Sequence, residues 1–283
     1  MTATLSSFAQ LMRPKHWLKN LLLLFPPLFA GTIASSDVAL MVLPALAAFS
    51  MASSCTYIVN DIVDRQADRN HATKKNRAIA RGDVKIWYAA VLAGVLCVVA
   101  LLIGSALSER FLAFLIIYLF ISVFYSFYFK HIVLIDIFAL SAGYILRVMA
   151  GGEAFHTAIS SWLFLTVFIV SLFLASGKRL AELITFGENA HKHRKSLTHY
   201  SLSYLEGILW FSSAAALVTY ALYTLERQNA LLYTVPLVAF GLLRYIYIVK
   251  QGTGDPTDAL VGDKQIMLTG IVWVMMITIT IYK

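Results

Sequence analysis

The chain has 283 residues, of which 59% are hydrophobic and only 13% are charged, and its formal net charge is +8. So few charged residues cannot cover the surface of a soluble protein of this length, which excludes that class. Crossing a bilayer takes about 20 apolar residues, so this composition favours a helical protein that spans a membrane many times.

Nine runs with few or no charged residues follow one another along the chain. They cover residues 20–36, 38–58, 86–107, 111–129, 132–150, 159–177, 204–224, 230–249 and 266–282. Each run is continuously apolar, whereas the strands of an outer-membrane barrel would alternate between apolar and polar residues. We therefore expect an all-α, polytopic membrane protein with nine transmembrane helices, in which residues 1–283 form a single domain.

The basic residues are unevenly distributed between alternate loops. Most of the 23 Lys and Arg lie before the first run or in the loops after every second run, above all in segments 60–85 and 178–203. Because loops rich in Lys and Arg stay in the cytoplasm, the amino terminus and both long loops are predicted to be cytoplasmic.

An acidic motif, Asn60, Asp61, Asp64 and Asp68, follows the second run. If the helix continues through it, the three carboxylates share one face and repel one another unless a cation neutralises them. Mg²⁺ binds carboxylate oxygens and is often completed by substrate phosphates. We interpret the motif as a Mg²⁺ site that holds a diphosphate; the alternative is a solvated helix end with incidental ion pairs.

A basic cluster lies at the end of the sixth run. Lys178, Arg179 and Glu182 fit one helical turn there, and residues 191–195 add further positive charge. The pair next to the helix predicts an anion site. Attraction to anionic lipid head groups is the competing interpretation, mainly for residues 191–195.

Two charged residues, Asp136 and Arg147, lie within the fifth run. Their spacing of eleven residues is close to three helical turns, so they share one face. An ionised group inside a membrane usually faces a polar cavity or a partner. Two interpretations stay open: a role in substrate binding, or structural pairing of each residue with neighbouring helices.

The acidic motif resembles that of the UbiA-type superfamily of intramembrane transferases, in which it follows the second transmembrane helix. Other segments resemble the decaprenyl-phosphate phosphoribosyltransferase branch of that superfamily. They are residues 13–20, 76–80, 125–130, 177–182 and 194–197. Ala78 is a departure, because proline is expected there in this branch, but it removes no charged group.

The resemblance implies nine helices around a central cavity that opens to the cytoplasmic side of a bacterial plasma membrane. It also implies a Mg²⁺-dependent enzyme that transfers 5-phosphoribose from phosphoribosyl diphosphate to a polyprenyl phosphate and releases pyrophosphate. The product would lead to lipid-linked arabinose for cell-envelope glycans. No nucleic-acid partner is expected, and a homo-oligomer is left open.

Particular residues acquire expected roles from this resemblance. Asp61, Asp64 and Asp68 would be the catalytic residues and would hold Mg²⁺. The residues expected to bind substrates are Lys19, Asn60, Lys74, Arg77, Tyr125, Lys130, Arg147, Lys178, Arg179, Glu182 and Lys195.

Within this set, Lys74 and Arg77 would cover the diphosphate. Lys19, beside an interfacial tryptophan, is the candidate for the lipid phosphate. Lys178 and Arg179 would hold either the lipid phosphate or the ribose 5-phosphate, and the sequence leaves both assignments open.

Two other functions remain as alternatives. A prenyltransferase would move a polyprenyl group from its diphosphate to an aromatic acceptor, but such enzymes carry a second aspartate-rich motif where this chain has Lys178, Arg179 and Glu182. A cationic group there suits two phosphorylated substrates better. A polyanion or lipid transporter could use Asp136 and Arg147, although the sequence shows no inverted pair of broken helices.

Overall fold

The computed structural model describes residues 5–70, 74–187 and 195–283, and the elements in them are helical. The α-helices are α1 (Leu5–Met12), α2 (Phe25–Ala30), α3 (Ser36–Val63), α4 (Arg65–Arg69), α5 (Ala78–Arg81), α6 (Ile86–Leu107), α7 (Glu109–Phe127), α8 (Ile135–Ala154), α9 (Ser161–Phe186), α10 (Leu202–Arg227), α11 (Val235–Lys250), α12 (Pro256–Gly262) and α13 (Lys264–Tyr282). Shorter connections form 3-10 helices at Pro14–Leu24, Lys74–Asn76, Phe129–His131, Lys195–His199 and Asn229–Thr234. The predicted all-α class is confirmed.

Within the described ranges, eight segments are long and apolar enough to cross a membrane. They are α3, α6, α7, α8, α9, α10, residues 229–250 and α13. The predicted first run, 20–36, is not one long helix: it is divided between the 3-10 helix Pro14–Leu24 and the short helix α2. Pro26 and Pro27 begin α2, where they supply no N–H to a preceding turn, and Gly31 ends it at a φ of 78°. The predicted count of nine long helices is therefore not confirmed.

Helices α8 and α9 form the centre of the bundle. More than half of each spanning window is buried, whereas α6 and α13 bury only 17% and 6% of theirs. Helix α8 contacts α7, α9, α2 and the 3-10 helix Pro14–Leu24, while α3 packs against α6 and α7. The central helices therefore present their side chains to the interior, and α6 and α13 lie at the periphery.

Ion pairs join several helix termini at one end of the bundle, which we call the motif end. The elements that meet there are the 3-10 helix Pro14–Leu24 with its cap Arg13, the last turn of α3, the 3-10 helix Phe129–His131 that follows α7, the first turn of α8, the carboxyl-terminal part of α9 and the N-cap of α12. Chain segments far apart in sequence thus place their charged residues in one region.

The 3-10 helix Pro14–Leu24 lies directly against α8. A Cβ atom added at Gly151 of α8 would lie 2.1 Å from the carbonyl oxygen of Leu23, which is fixed backbone. Only a glycine permits this approach, so the position of the 3-10 helix depends on it.

We expect Gly151→Ala to destabilise the protein by about 1–3 kcal/mol, because the new methyl group must push the two helices apart. Thermal unfolding of the purified protein in detergent measures the change. Gly94→Ala is the matched control, since a Cβ there meets nothing within 4 Å. Equal unfolding temperatures for the two variants would contradict the close approach.

Candidate active site

A cavity of about 380 Å³ opens at the motif end between the amino-terminal segment, α3 and α5. We call it the polar pocket. Its charged and titratable lining residues are Arg13, Lys15, His16, Asp61 and Arg77. A small anionic molecule would find several basic side chains and one carboxylate on these walls.

Two carboxylates of the acidic motif share one arginine at this pocket. Arg77 donates from Nη1 to Oδ1 of Asp61 at 3.0 Å and to Oδ2 of Asp68 at 2.7 Å. Asp61 also accepts a hydrogen bond from Arg13. Both carboxylates belong to residues that are only 3% exposed, so these arginines offset a large desolvation cost.

The third carboxylate has a different partner. Helix α3 ends at Val63, Asp64 is its C-cap and α4 begins at the next residue, so the helix predicted to run through the motif is interrupted. The buried Lys130, in the 3-10 helix after α7, donates to Asp64. In the described ranges no group of three or more His, Cys, Asp or Glu could hold a metal ion, so the expected convergence of all three aspartates is not observed.

The donor set nevertheless fits Mg²⁺ that arrives with a phosphorylated ligand. This ion is commonly held by one or two carboxylates and completed by phosphate oxygens. Asp61 faces the polar pocket and Asp68 is linked to it through Arg77, which gives two such carboxylates. Burial raises the pKa of the Asp68 carboxyl, and the charges of Arg77 and Lys74 oppose that shift. Asn60, half-buried, precedes Asp61 in the last turn of α3.

The two basic residues of the predicted anion site on α9, Lys178 and Arg179, have different partners in the structure. Arg179 is fully buried, and its Nε lies 2.9 Å from Oδ2 of Asp136. The same guanidinium donates to Glu182 and, at 2.7 Å, to the hydroxyl of Tyr125. Three of the expected substrate-binding residues therefore bind one another, in a network that links α7, α8 and α9.

The two charged residues within α8 also have separate partners. Asp136 accepts a hydrogen bond from the hydroxyl of Tyr200 at 2.7 Å, in addition to its ion pair. Arg147 donates to Oδ1 of Asn20 at 2.8 Å and to the hydroxyl of Tyr118 at 3.1 Å. Both residues are therefore paired with neighbouring elements, and the role of Arg147 in substrate binding stays a prediction.

Lys178 points to a different partner from Arg179. Its Nζ donates to Oδ2 of Asp255 at 3.1 Å, and Nζ of Lys19 lies 3.6 Å from the same oxygen. Burial alone would raise the pKa of the Asp255 carboxyl, but Lys178, Lys19 and His16 outweigh it and hold that pKa well below its usual range. The sequence analysis missed Asp255, because an aspartate before Pro256 has the pattern of an ordinary helix cap.

A second cavity, of about 420 Å³, lies between the 3-10 helix Pro14–Leu24 and helices α9 to α13. We call it the apolar cavity. Aromatic and aliphatic side chains such as Phe29, Leu174 and Trp273 form its walls. Lys19 is the one charged residue among the described residues that line it. Such a chamber suits an apolar chain with a negatively charged head.

Some predicted residues fall wholly or partly outside the described ranges. Lys195 begins the 3-10 helix Lys195–His199, but its side chain is not described. The basic residues 191–194 lie between the described ranges, so the prediction of head-group binding there stays a prediction.

Helices long and apolar enough to span a membrane, an arginine-lined pocket and an apolar cavity together describe a membrane protein with room for an anionic and an apolar ligand. The sequence model of the UbiA prenyltransferase family matches residues 22–268, and the chain belongs to this family.

Curated relatives resemble the chain over nearly its full length. It is 36% identical to the decaprenyl-phosphate phosphoribosyltransferase of Mycolicibacterium smegmatis, covering 98% of this chain and 93% of the relative. It is 35% identical to the protein of the same name from Corynebacterium glutamicum, covering 96% and 85%. A solved UbiA homologue from Archaeoglobus fulgidus, bound to DMAPP and Mg²⁺, aligns with a TM-score of 0.77 at 16% identity over 98% of this chain and 99% of that chain. At that identity the last similarity shows the fold alone.

The stability of the folded protein is expected to depend on pH through His16, which lines the polar pocket. Burial lowers its pKa to about 4, and the neighbouring charge of Lys19 acts in the same direction. An unfolded chain protonates histidine near pH 6.5. The contribution of the neutral ring to stability is therefore complete above about pH 6.5 and is lost as the pH falls toward 4.

We expect the unfolding temperature of the wild type to decrease more steeply between pH 6.5 and 4.5 than that of His16→Gln. Scanning fluorimetry in detergent across this range measures both slopes. His156→Gln, which alters an exposed histidine beyond the last turn of α8, is the control and should keep the wild-type slope. A His16→Gln slope equal to the wild-type slope would exclude this assignment.

Proposed function

We propose that this enzyme transfers 5-phosphoribose from 5-phosphoribosyl 1-diphosphate to a polyprenyl phosphate and releases pyrophosphate, with Mg²⁺ as cofactor. One observation carries the proposal: the 3-10 helix Pro14–Leu24 lines both the arginine-rich polar pocket and the apolar cavity. A water-soluble anionic donor and a lipid acceptor can thus be bound on two faces of one element. The relatives named decaprenyl-phosphate phosphoribosyltransferase, at 35–36% identity, support this choice of substrates.

The donor fits the polar pocket. The guanidinium groups of Arg13 and Arg77 can bind diphosphate oxygens in bidentate geometry, and Asp61 lies between them. Mg²⁺ held by Asp61 and the diphosphate would supply neutralising charge for the departing pyrophosphate. The same arginines bind Asp61, so the pocket combines donors for the diphosphate with a carboxylate for Mg²⁺.

The acceptor fits the apolar cavity. Its polyprenyl chain would contact the aliphatic and aromatic walls, and its phosphate would lie at the motif end, near Lys19. A phosphate monoester has a second pKa near 6, so its oxygen is largely anionic at neutral pH and needs no strong general base. Attack on the anomeric carbon from the side opposite to pyrophosphate would invert that centre.

We further propose that the motif end faces the cytoplasm of a bacterial cell. The long loops at this end contain most of the basic residues, as the positive-inside rule requires. Phosphoribosyl diphosphate would reach the polar pocket from that side. The lipid product would then serve as a precursor of lipid-linked arabinose for cell-envelope glycans.

The activity assay uses purified protein, radiolabelled phosphoribosyl diphosphate, a polyprenyl phosphate and Mg²⁺. We expect labelled lipid, loss of label with EDTA, and at least about 100-fold slower transfer by Asp61→Asn, because the carboxylate that would hold the charge-neutralising Mg²⁺ is removed. Asp37→Asn, an exposed change at the other end of α3, is the matched control and should keep full activity.

The outcome also separates the other functions. Label transferred from a prenyl diphosphate to an aromatic acid would replace the proposal with prenyl transfer. Flux of a polyanion across vesicles without any lipid product would replace it with transport. Full transfer by Asp61→Asn would remove the acidic motif from the mechanism.

A further inference from the structure

The carboxylate of Asp255 lies between two lysines from distant parts of the chain. Lys178 belongs to α9 and Lys19 to the 3-10 helix Pro14–Leu24, and their Nζ atoms lie 3.1 Å and 3.6 Å from the same carboxylate oxygen. The Asp255 side chain is only 16% exposed and that of Lys19 only 17%. This is a partly buried cluster with one net positive charge, rather than a surface ion pair.

The backbone holds Asp255 firmly in this place. Its second carboxylate oxygen accepts a hydrogen bond at 3.0 Å from the backbone N–H of Thr257 and caps α12. The preceding residue, Gly254, packs so closely on α9 that an added Cβ would lie 2.8 Å from the Cα of Lys178. The hydroxyl of Tyr245 donates to the carbonyl of Gly254 at 2.8 Å. These backbone contacts therefore fix the position of the carboxylate to which the two flexible lysine side chains bind.

The cluster lies at the motif end of the apolar cavity. Lys19 lines that cavity, and so do Pro256 and Thr257, which follow Asp255 directly. Among the described residues that line the cavity, Lys19 alone offers a positive charge to the head of an amphiphile whose apolar chain fills it. The head group therefore belongs at this cluster, and the arginines of the polar pocket remain for the donor.

We propose that Asp255 is a positioning residue that holds Lys19 and Lys178 side by side, so that their two ammonium groups together bind the phosphate of the acceptor lipid. The identity of the acceptor rests on the function proposed above. Each ammonium group has three N–H donors, so one can bind Asp255 while the others remain for phosphate oxygens. The carboxylate also offsets the repulsion between two lysines that would otherwise move apart.

Asp255→Asn is a sharp test because it removes the charge and keeps the helix cap, for which asparagine is as suitable as aspartate. We expect its affinity for farnesyl phosphate, measured by calorimetry without donor, to be about tenfold lower than that of the wild type. Farnesol, which lacks the phosphate, should bind both proteins equally. Asp255→Glu, which keeps the charge, should recover part of the affinity.

Steady-state kinetics supply the second measurement. The KM for polyprenyl phosphate should rise about tenfold in Asp255→Asn, while the KM for phosphoribosyl diphosphate and kcat stay within about twofold. Asp258→Asn is the matched control, because Asp258 lies on the same helix and pairs with Lys15 at a site where both side chains are half exposed. It should leave both KM values unchanged.

The results separate this inference from the proposed function. Farnesyl phosphate binding that is equal in the wild type and Asp255→Asn overturns the positioning role, whether or not phosphoribose is transferred. A rise in KM for phosphoribosyl diphosphate alone would assign the two lysines to the ribose 5-phosphate instead and also overturn it. Absence of transfer by a wild type that binds farnesyl phosphate through Asp255 would refute the proposed reaction and leave the anion site in place.

Discussion

The structure depends on the neutralisation of buried charge at one end of the bundle. Arg77 holds Asp61 and Asp68, Arg179 holds Asp136, and Lys130 pairs with Asp64. All of these side chains are nearly buried except those of Arg77 and Asp64, which are 24% and 27% exposed. Leaving one of the nearly buried groups unpaired would cost several kcal/mol, and the partners come from different elements. The ion pairs therefore do two things at once: they fix the relative positions of the helix ends, and they assemble charged side chains into a site.

The composition and the apolar runs were sufficient to predict an all-helical membrane protein and eight of its long segments, because length and hydropathy alone decide which helices can cross a bilayer. The first segment differed, since two consecutive prolines and a glycine divide it into short helices. Hydropathy averages over such local backbone effects. The acidic motif was found from its spacing, yet its expected single face depended on a continuous helix, and the interruption at Asp64 was not visible in the sequence.

The sequence could not predict which charged residues pair with one another across the fold. Lys178 and Arg179 are neighbours in sequence and were expected to act together, but successive residues of a helix point about 100° apart, and the structure gives them different partners. The sequence around Asp255 indicates only the N-cap of a helix and gives no sign of a binding site. The significance of this residue appears only when three segments that are distant in sequence, those of Lys19, Lys178 and Asp255, meet at the motif end. Charge patterns therefore predict an anionic ligand, while the fold decides which charged residues are available to bind it.

The 3-10 helix Pro14–Leu24 has a further consequence. It is a common wall of both cavities, with His16 on the polar pocket and Lys19 on the apolar cavity, and it rests on α8 through the contact that Gly151 permits. Any displacement of this thin partition by one bound molecule alters the room left for the other. Thermodynamic linkage would make such an influence reciprocal, so that a ligand in one chamber would change the affinity of the other chamber by the same factor.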